Sequence, residues 1–329
     1  MLPDALSTEL AWLDHLLGQP QNRWDGFAPE HEGEEGLRNQ ILFAGWAAAA
    51  LAAHPEASPE QRETALTALG AAIERLLQRR VWADWATLTE RAGLTPDPIT
   101  FGGAALSGAL STLLGLSAQL GMPRYQDDPF TLHWSADYRF SYTHTQLNAT
   151  LAAQLRDDPS GAIATHADST SASAMALVLW GLHLGPGHDE AEQARARWIE
   201  TLAKRMVMRG PRVAGRNALA ASYNLRTRRA AFSSQPLEDG LALAFMAPFA
   251  PDLVASVAPR HWPSLAHSEA GATIQALGAL LAHRLGETNR AEQLTLASAN
   301  HPDGAQPIPH AVRILVACGG LYPPITTPT

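Results

Sequence analysis

Residues Ser160–Leu184 read SGAIATHADSTSASAMALVLWGLHL, and the change of character halfway along this stretch decides the fold. Its first part crowds His166, Asp168, Ser169, Thr170, Ser171 and Ser173 together. From Ala172 to Leu184 it is almost uniformly apolar, and Gly185-Pro186-Gly187 ends it. The pattern predicts a helix buried on most sides, opened by capping hydroxyls and a carboxylate and closed by a glycine stop. Such a helix belongs in the inner layer of an all-helical protein. Its N-terminus presents free backbone N–H groups and the positive end of the helix dipole, so the polar mouth reads as one wall of an active site.

Outward from this stretch the chain alternates between apolar and amphipathic segments. Ala5–Leu17 carries Leu6, Leu10, Leu13, Leu16 and Leu17 at helical spacing, and a polar loop follows over Gly18–Gly36. Leu37–Ala53 is apolar nearly throughout; Pro59–Arg79 is amphipathic, with Glu60, Arg62, Glu63, Glu74 and Arg75 assigned to water. The same succession recurs as Thr100–Leu120 with Phe140–Arg156, then the stretch after Asp168 with Asp189–Met206, then Leu237–Phe249 with Pro251–Val257. Ser268–Leu285 with Glu287–Ala297 and a last apolar Pro309–Leu321 complete it. No segment reads as a strand. Apolar inner helices alternating with amphipathic outer ones predict an all-α (α/α)6 barrel, a single domain over residues 1–329, with 1–36 as an N-terminal helix and loop.

Composition bounds the function. Hydrophobic residues make up 46% and charged residues 17% of the 329, enough for a large core and too little charge for disorder. A net charge of −8 excludes a nucleic-acid surface, and Arg209–Arg229 reads as a solvated loop. The single Cys318 excludes an intrachain disulfide and a cysteine-built metal site. The N-terminus lacks the pattern of a signal peptide and no window has the length of a membrane span, so a cytoplasmic protein is expected.

The motifs together resemble the linalool dehydratase-isomerase family. Val81-Trp82-Ala83-Asp84-Trp85 resembles its Val-Trp-x-x-Trp, and Asp97-Pro98-Ile99 precedes Ser107-Gly108-Ala109-Leu110 as in the family. Pro123-Arg124-Tyr125, Phe140-Ser141-Tyr142, Gln154, Glu238-Asp239-Gly240 with Ala244-Phe245-Met246, Pro251-Asp252-Leu253-Val254 and Leu285-Gly286-Glu287 continue the likeness, over roughly residues 37 to 298. The resemblance implies an (α/α)6 barrel and cofactor-free acid–base chemistry on an alkenol, and suggests a homo-oligomer. The sequence also departs from the family. The family's histidine falls at Ala109, its Met and Tyr at Ala105 and Leu106, and its two cysteines near Ala164 and Ser173. Smaller side chains enlarge the cavity and fit a bulkier hydrophobic substrate.

The loops expected to gather at the mouth carry Glu34, Glu35 and Arg38, Asp97 and Thr100, His166, Asp168 and Ser169, Glu238 and Asp239, His267 and Glu269, and His310. An imidazole beside a carboxylate is a usable general acid or base near neutral pH, so His166, Asp168, Glu238 and Asp239 are the candidate catalytic residues. Their competing role is capping helix N-termini. Trp46, Ala105, Ala109, Tyr142, His144, Ser169, Ser173, Met246 and His310 are the candidate substrate-binding residues. No His-x-x-x-His spacing falls on a predicted helix, so neither a metal nor another cofactor is expected. The leading function is a lyase, isomerase or cyclase of secondary metabolism. A non-catalytic relative that binds a hydrophobic ligand and a sugar-directed hydrolase or lyase of the same barrel class are the alternatives.

Overall fold

In the computed structural model the chain is described at residues 2–83, 85–87, 93, 95–100, 103–165, 168–185, 188–208, 218–232, 236–265 and 271–319. It is mostly helical, as the periodicity predicts. The longer helices are α1 (Asp4–Gly18), α2 (Pro29–Ala53), α3 (Pro59–Leu76), α4 (Ala104–Gln119), α5 (His144–Asp157), α6 (Ala172–Leu184), α7 (His188–Thr201), α8 (Pro236–Met246), α9 (Pro251–Leu265), α10 (Ala272–Arg284), α11 (Thr288–Asn300) and α12 (Pro307–Ala317).

The even-numbered helices share a circuit of contacts: α2 packs on α4, α4 on α6, α6 on α8, α8 on α10, α10 on α12, and α12 back on α2. The odd-numbered helices lie against them, α3 on α2 and α4, α7 on α6, α9 on α8 and α10, α11 on α10 and α12. Composition explains the sorting. Nearly every residue of α4 and α6 is buried, while α3 and α5 bury one face and open on capping boxes, Ser58 with Gln61 and Thr143 with Gln146.

The tightest contact is between α4 and α6, which run parallel and meet through small residues. A Cβ on Gly108 would stand 2.6 Å from the backbone nitrogen of Val178, and one on Gly181 would stand 2.3 Å from Ser111 Oγ. Only glycine lets the two backbones approach so closely. Four aromatic rings occupy the interior of the circuit. Trp46 of α2 meets Trp180 of α6 with ring centroids 4.8 Å apart, and Phe43 of α2 meets Phe245 of α8 at 5.5 Å. These helices are not neighbours in the circuit, so the rings reach across it and fill its centre at that level.

Three expectations are corrected. First, strands are present. Phe130–His133 (β1) pairs antiparallel with Arg139–Tyr142 (β2), and Ser169–Thr170 (β3) pairs with Ser222–Asn224 (β4), which pairs in turn with Arg229–Ala231 (β5). The strands are too short for alternation to register in the sequence, and the β3–β4 ladder joins distant residues. The end of the basic run read as a solvated loop is thus a hairpin with Tyr223 buried inside it; residues 209–217 lie outside the described part. Second, α2 begins at Pro29, inside the expected loop, with the proline in the first turn, where its missing N–H costs nothing. Third, Arg75 does not face water: it is 1% exposed. Its guanidinium donates to the carbonyls of Leu17 (3.1 Å), Gln19 (2.7 Å) and Arg23 (3.0 Å) and lies over the rings of Trp24 and Phe27. Burial lowers its pKa. The loop after α1 is wrapped around this one cation, and Trp24 and Phe27 anchor it.

Candidate functional site

The first turns of α6 and α8 come together, and this meeting builds the candidate site. Ser171 caps α6 by accepting from the backbone N–H of Ala174 at 3.1 Å, one of the capping hydroxyls expected there, whereas the expected capping carboxylate, Asp168, pairs with Arg226 instead. Its hydroxyl lies 2.9 Å from that of Ser173, and Ser173 Oγ donates to Glu238 Oε2 at 2.5 Å. Ser173 is buried and Glu238 half-buried. The contact ties the Glu238 carboxylate to the first turn of α6.

Asp239, the next residue, turns the other way. It is 1% exposed and accepts backbone N–H donors on both oxygens, from Ala218 on one and from Leu219 at 3.0 Å on the other. Burial pushes its pKa up to about 7 against the pull of those two hydrogen bonds, and the neighbouring Glu238 adds to the rise. Its visible work is to hold the segment that leads into β4. Gly240 follows, and behind it His261 of α9 is fully buried. Among the described residues neither ring nitrogen of His261 has a hydrogen-bond partner, and burial holds its pKa at about 4.

The loop before α6 is stitched to the β4–β5 hairpin. Asp168 is exposed, its Oδ2 stands 3.2 Å from Arg226 Nε, and its carbonyl accepts from the N–H of Leu225. Ser169, in β3, pairs with Asn224 and returns a hydrogen bond through its carbonyl to the N–H of Thr165. His166, His267 and Glu269 lie outside the described residues, as do the side chains of Glu34 and Glu35.

The other sequence candidates fall in several places. Ala105 and Ala109 lie on α4, beside α6, and are buried. Trp46 is in the aromatic plug. Met246, in the last turn of α8, is at the opposite end of that helix from Glu238. His144 is also remote from the α6 mouth: a Cβ on Gly185, just past the last residue of α6, would stand 3.1 Å from its Nε2. It contacts Asn148, which accepts from Ser111 Oγ at 2.7 Å, and burial holds the imidazole at about 4. His310 stacks on Trp12 at 3.8 Å and pairs with Glu9, so it joins α12 to α1.

Tyr142 belongs to a second polar cluster. Its hydroxyl donates to Asp97, which also accepts from the Thr100 hydroxyl and from the N–H of Ile99 at 3.0 Å. Burial pushes the tyrosine up to about 12, with the hydrogen bond to Asp97 adding to the rise. Ser107 donates to the carbonyl of Pro98, and Gln154 to that of Ile99. Gly103, at φ +70°, packs against Pro98 so closely that a Cβ would stand 2.4 Å from its oxygen. Residues from separate motifs thus converge to fix one loop at the start of α4. Sequence spacing gave no sign of that convergence, nor of the link from Ser173 to Glu238.

Among the described residues no cluster of His, Cys, Asp and Glu could hold a metal, and no helix is long and apolar enough to cross a membrane. No curated protein matches the chain. The model of the linalool dehydratase/isomerase family matches residues 38–164, the part that carries the Trp82, Asp97, Ser107, Arg124 and Tyr142 motifs, and so supports the membership of this chain in that family.

Proposed function

We propose that the protein is a lyase or isomerase that moves protons on a hydrophobic alkenol or polyene inside an (α/α)6 barrel, without a cofactor. The circuit of even-numbered helices, with the odd-numbered ones outside it, supports the barrel reading. The family match supports the reaction class. The observation that carries the assignment of the site is the hydrogen bond from Ser173 to Glu238 at the meeting of two inner helix N-termini.

In this reading Glu238 takes a proton from a carbon next to the breaking C–O bond. A second group protonates the departing hydroxyl, so that water leaves and a double bond forms; returning the proton at another carbon gives isomerisation instead. His166 is the proposed donor, Asp168 is the carboxylate proposed to favour its protonated form, and Ser169 orients the hydroxyl. Asp239 serves by holding the Ala218 segment in place. Ala105 and Ala109 leave room for the hydrocarbon, and Trp46 forms its floor. Tyr142, His144, Met246 and His310 support the surrounding helices. A hydrophobic substrate, a homo-oligomer and a cytoplasmic role in secondary metabolism belong to the same proposal.

The test is incubation of the full chain with a panel of hydrophobic alkenols in deuterated water, read by mass spectrometry for dehydrated or deuterated products. Turnover that Glu238→Gln lowers by about a hundredfold or more supports the reading. An alkenol that binds the wild type without any turnover would instead identify a ligand-binding protein.

A further inference from the structure

A groove of about 580 Å³ lies on the outer wall, between the end of α3, the loop after α1, the turn at Arg124 and strand β1. Its size falls within the roughly 300–1,000 Å³ usual for small-molecule sites. We propose that it binds a small anion through carboxylate or phosphate oxygens.

The chemistry of the lining points to such a ligand. Glu74 is its one carboxylate, and that group is already engaged: it accepts from the Tyr125 hydroxyl and faces Arg124 Nη1 at 3.4 Å. Of the remaining polar groups, Arg79 and Arg124 are donors only, and the side-chain amides can donate. Gln78 Nε2 is buried in the lining without a hydrogen-bond partner among the described residues. A buried amide donor is costly until an acceptor reaches it. The Arg79 guanidinium carbon lies 4.2 Å over the ring of Trp134. Stacking fixes its plane and leaves its N–H edge for a planar or tetrahedral anion. On β1, Phe130 and Leu132 point inward, so Thr131 and His133 face outward together and add to the rim. Asn22, in the loop after α1, also lines the groove. The Arg79 guanidinium, an unpartnered amide and an acid already faced by Arg124 suit a ligand made of acceptors, on a protein whose net charge of −8 would otherwise repel it.

The test is calorimetric titration of the full chain with inorganic phosphate, glucose 6-phosphate and citrate at constant ionic strength. At least one should bind saturably. Arg79→Met and Gln78→Met should each weaken that binding, the arginine change by about tenfold or more. Arg62→Met, an exposed site elsewhere on α3, should leave it unchanged, and circular dichroism should show all three variants folded. Glucose 6-phosphate binding tighter than phosphate would identify a phosphorylated metabolite, phosphate alone a free anion, and citrate alone a carboxylate. Absence of saturable binding for all three would overturn the proposal, as would affinity equal in wild type and the Arg79 and Gln78 variants, or an equal loss in Arg62→Met.

Discussion

Ser173 Oγ donates to Glu238 Oε2 at 2.5 Å, tying the first turn of α6 to the first turn of α8 across 65 residues of chain. The bond holds the carboxylate in one orientation. Ser173→Ala should therefore lower turnover of any accepted alkenol, by less than Glu238→Gln does. Turnover unchanged in Ser173→Ala would show that the contact does not position Glu238 for the reaction.

The seam between α4 and α6 should tolerate nothing larger than glycine. A methyl group at Gly181 would stand 2.3 Å from Ser111 Oγ and 2.8 Å from the backbone nitrogen of Thr112. Gly181→Ala should cost about 1–3 kcal/mol or more in urea unfolding, as overpacked cores do. Gly70, on the outer α3, meets nothing within 4 Å of a built Cβ. Gly70→Ala should instead stabilise by about 0.5–1 kcal/mol through helix propensity. Equal effects at the two positions would contradict the packing described.

Arg75→Met should destabilise by roughly 3–5 kcal/mol, because it strands the carbonyls of Leu17, Gln19 and Arg23 in a buried setting. Hydrogen exchange should rise first over residues 19–27, the loop that the guanidinium holds. Uniform exchange across the chain would count against a local clamp.

Stability should rise between pH 4 and 6.5. His144 and His261 titrate near 4 when folded and near their ordinary 6.5 when unfolded, so unfolding takes up protons in this window and acid destabilises. Asp239 opposes them. Its folded pKa of about 7 lies above the unfolded 3.8, so its contribution is full below 3.8 and is lost as pH rises to 7. Two histidines against one carboxyl leave a net slope of about 1.4 kcal/mol per pH unit in mid-window. His261→Leu should bring that slope near zero, as read from urea midpoints at pH 5 and 6. A slope unchanged by the substitution would mean that His261 is not buried neutral.

Much of the fold was legible because burial leaves a periodic trace. The apolar run of α6, a capping hydroxyl at its start and its glycine end could be read directly, though not which residue caps it, and so could the alternation of buried and half-buried helices. What escaped depends on partners far away in the chain. Arg75 looks like any charged residue on an amphipathic helix until the loop after α1 folds over it. The β3 strand exists only because Ser169 meets Asn224. The same limit governed the site. Glu238 and Asp239 carry the same charge at adjacent positions, and their different hydrogen-bond partners follow from which neighbour each one faces. Asp97 and Tyr142 were visible as separate motifs, whereas their joint task of fixing a loop was not.

The rings of Phe43, Trp46, Trp180 and Phe245 close the centre of the helix circuit at their level. Trp180 follows Ser173 by seven residues, a helical rise of about 10 Å. Under the proposed function that distance is a ruler: substrate and product would share one route beside Ser173, and a fully extended long chain would leave its tail outside.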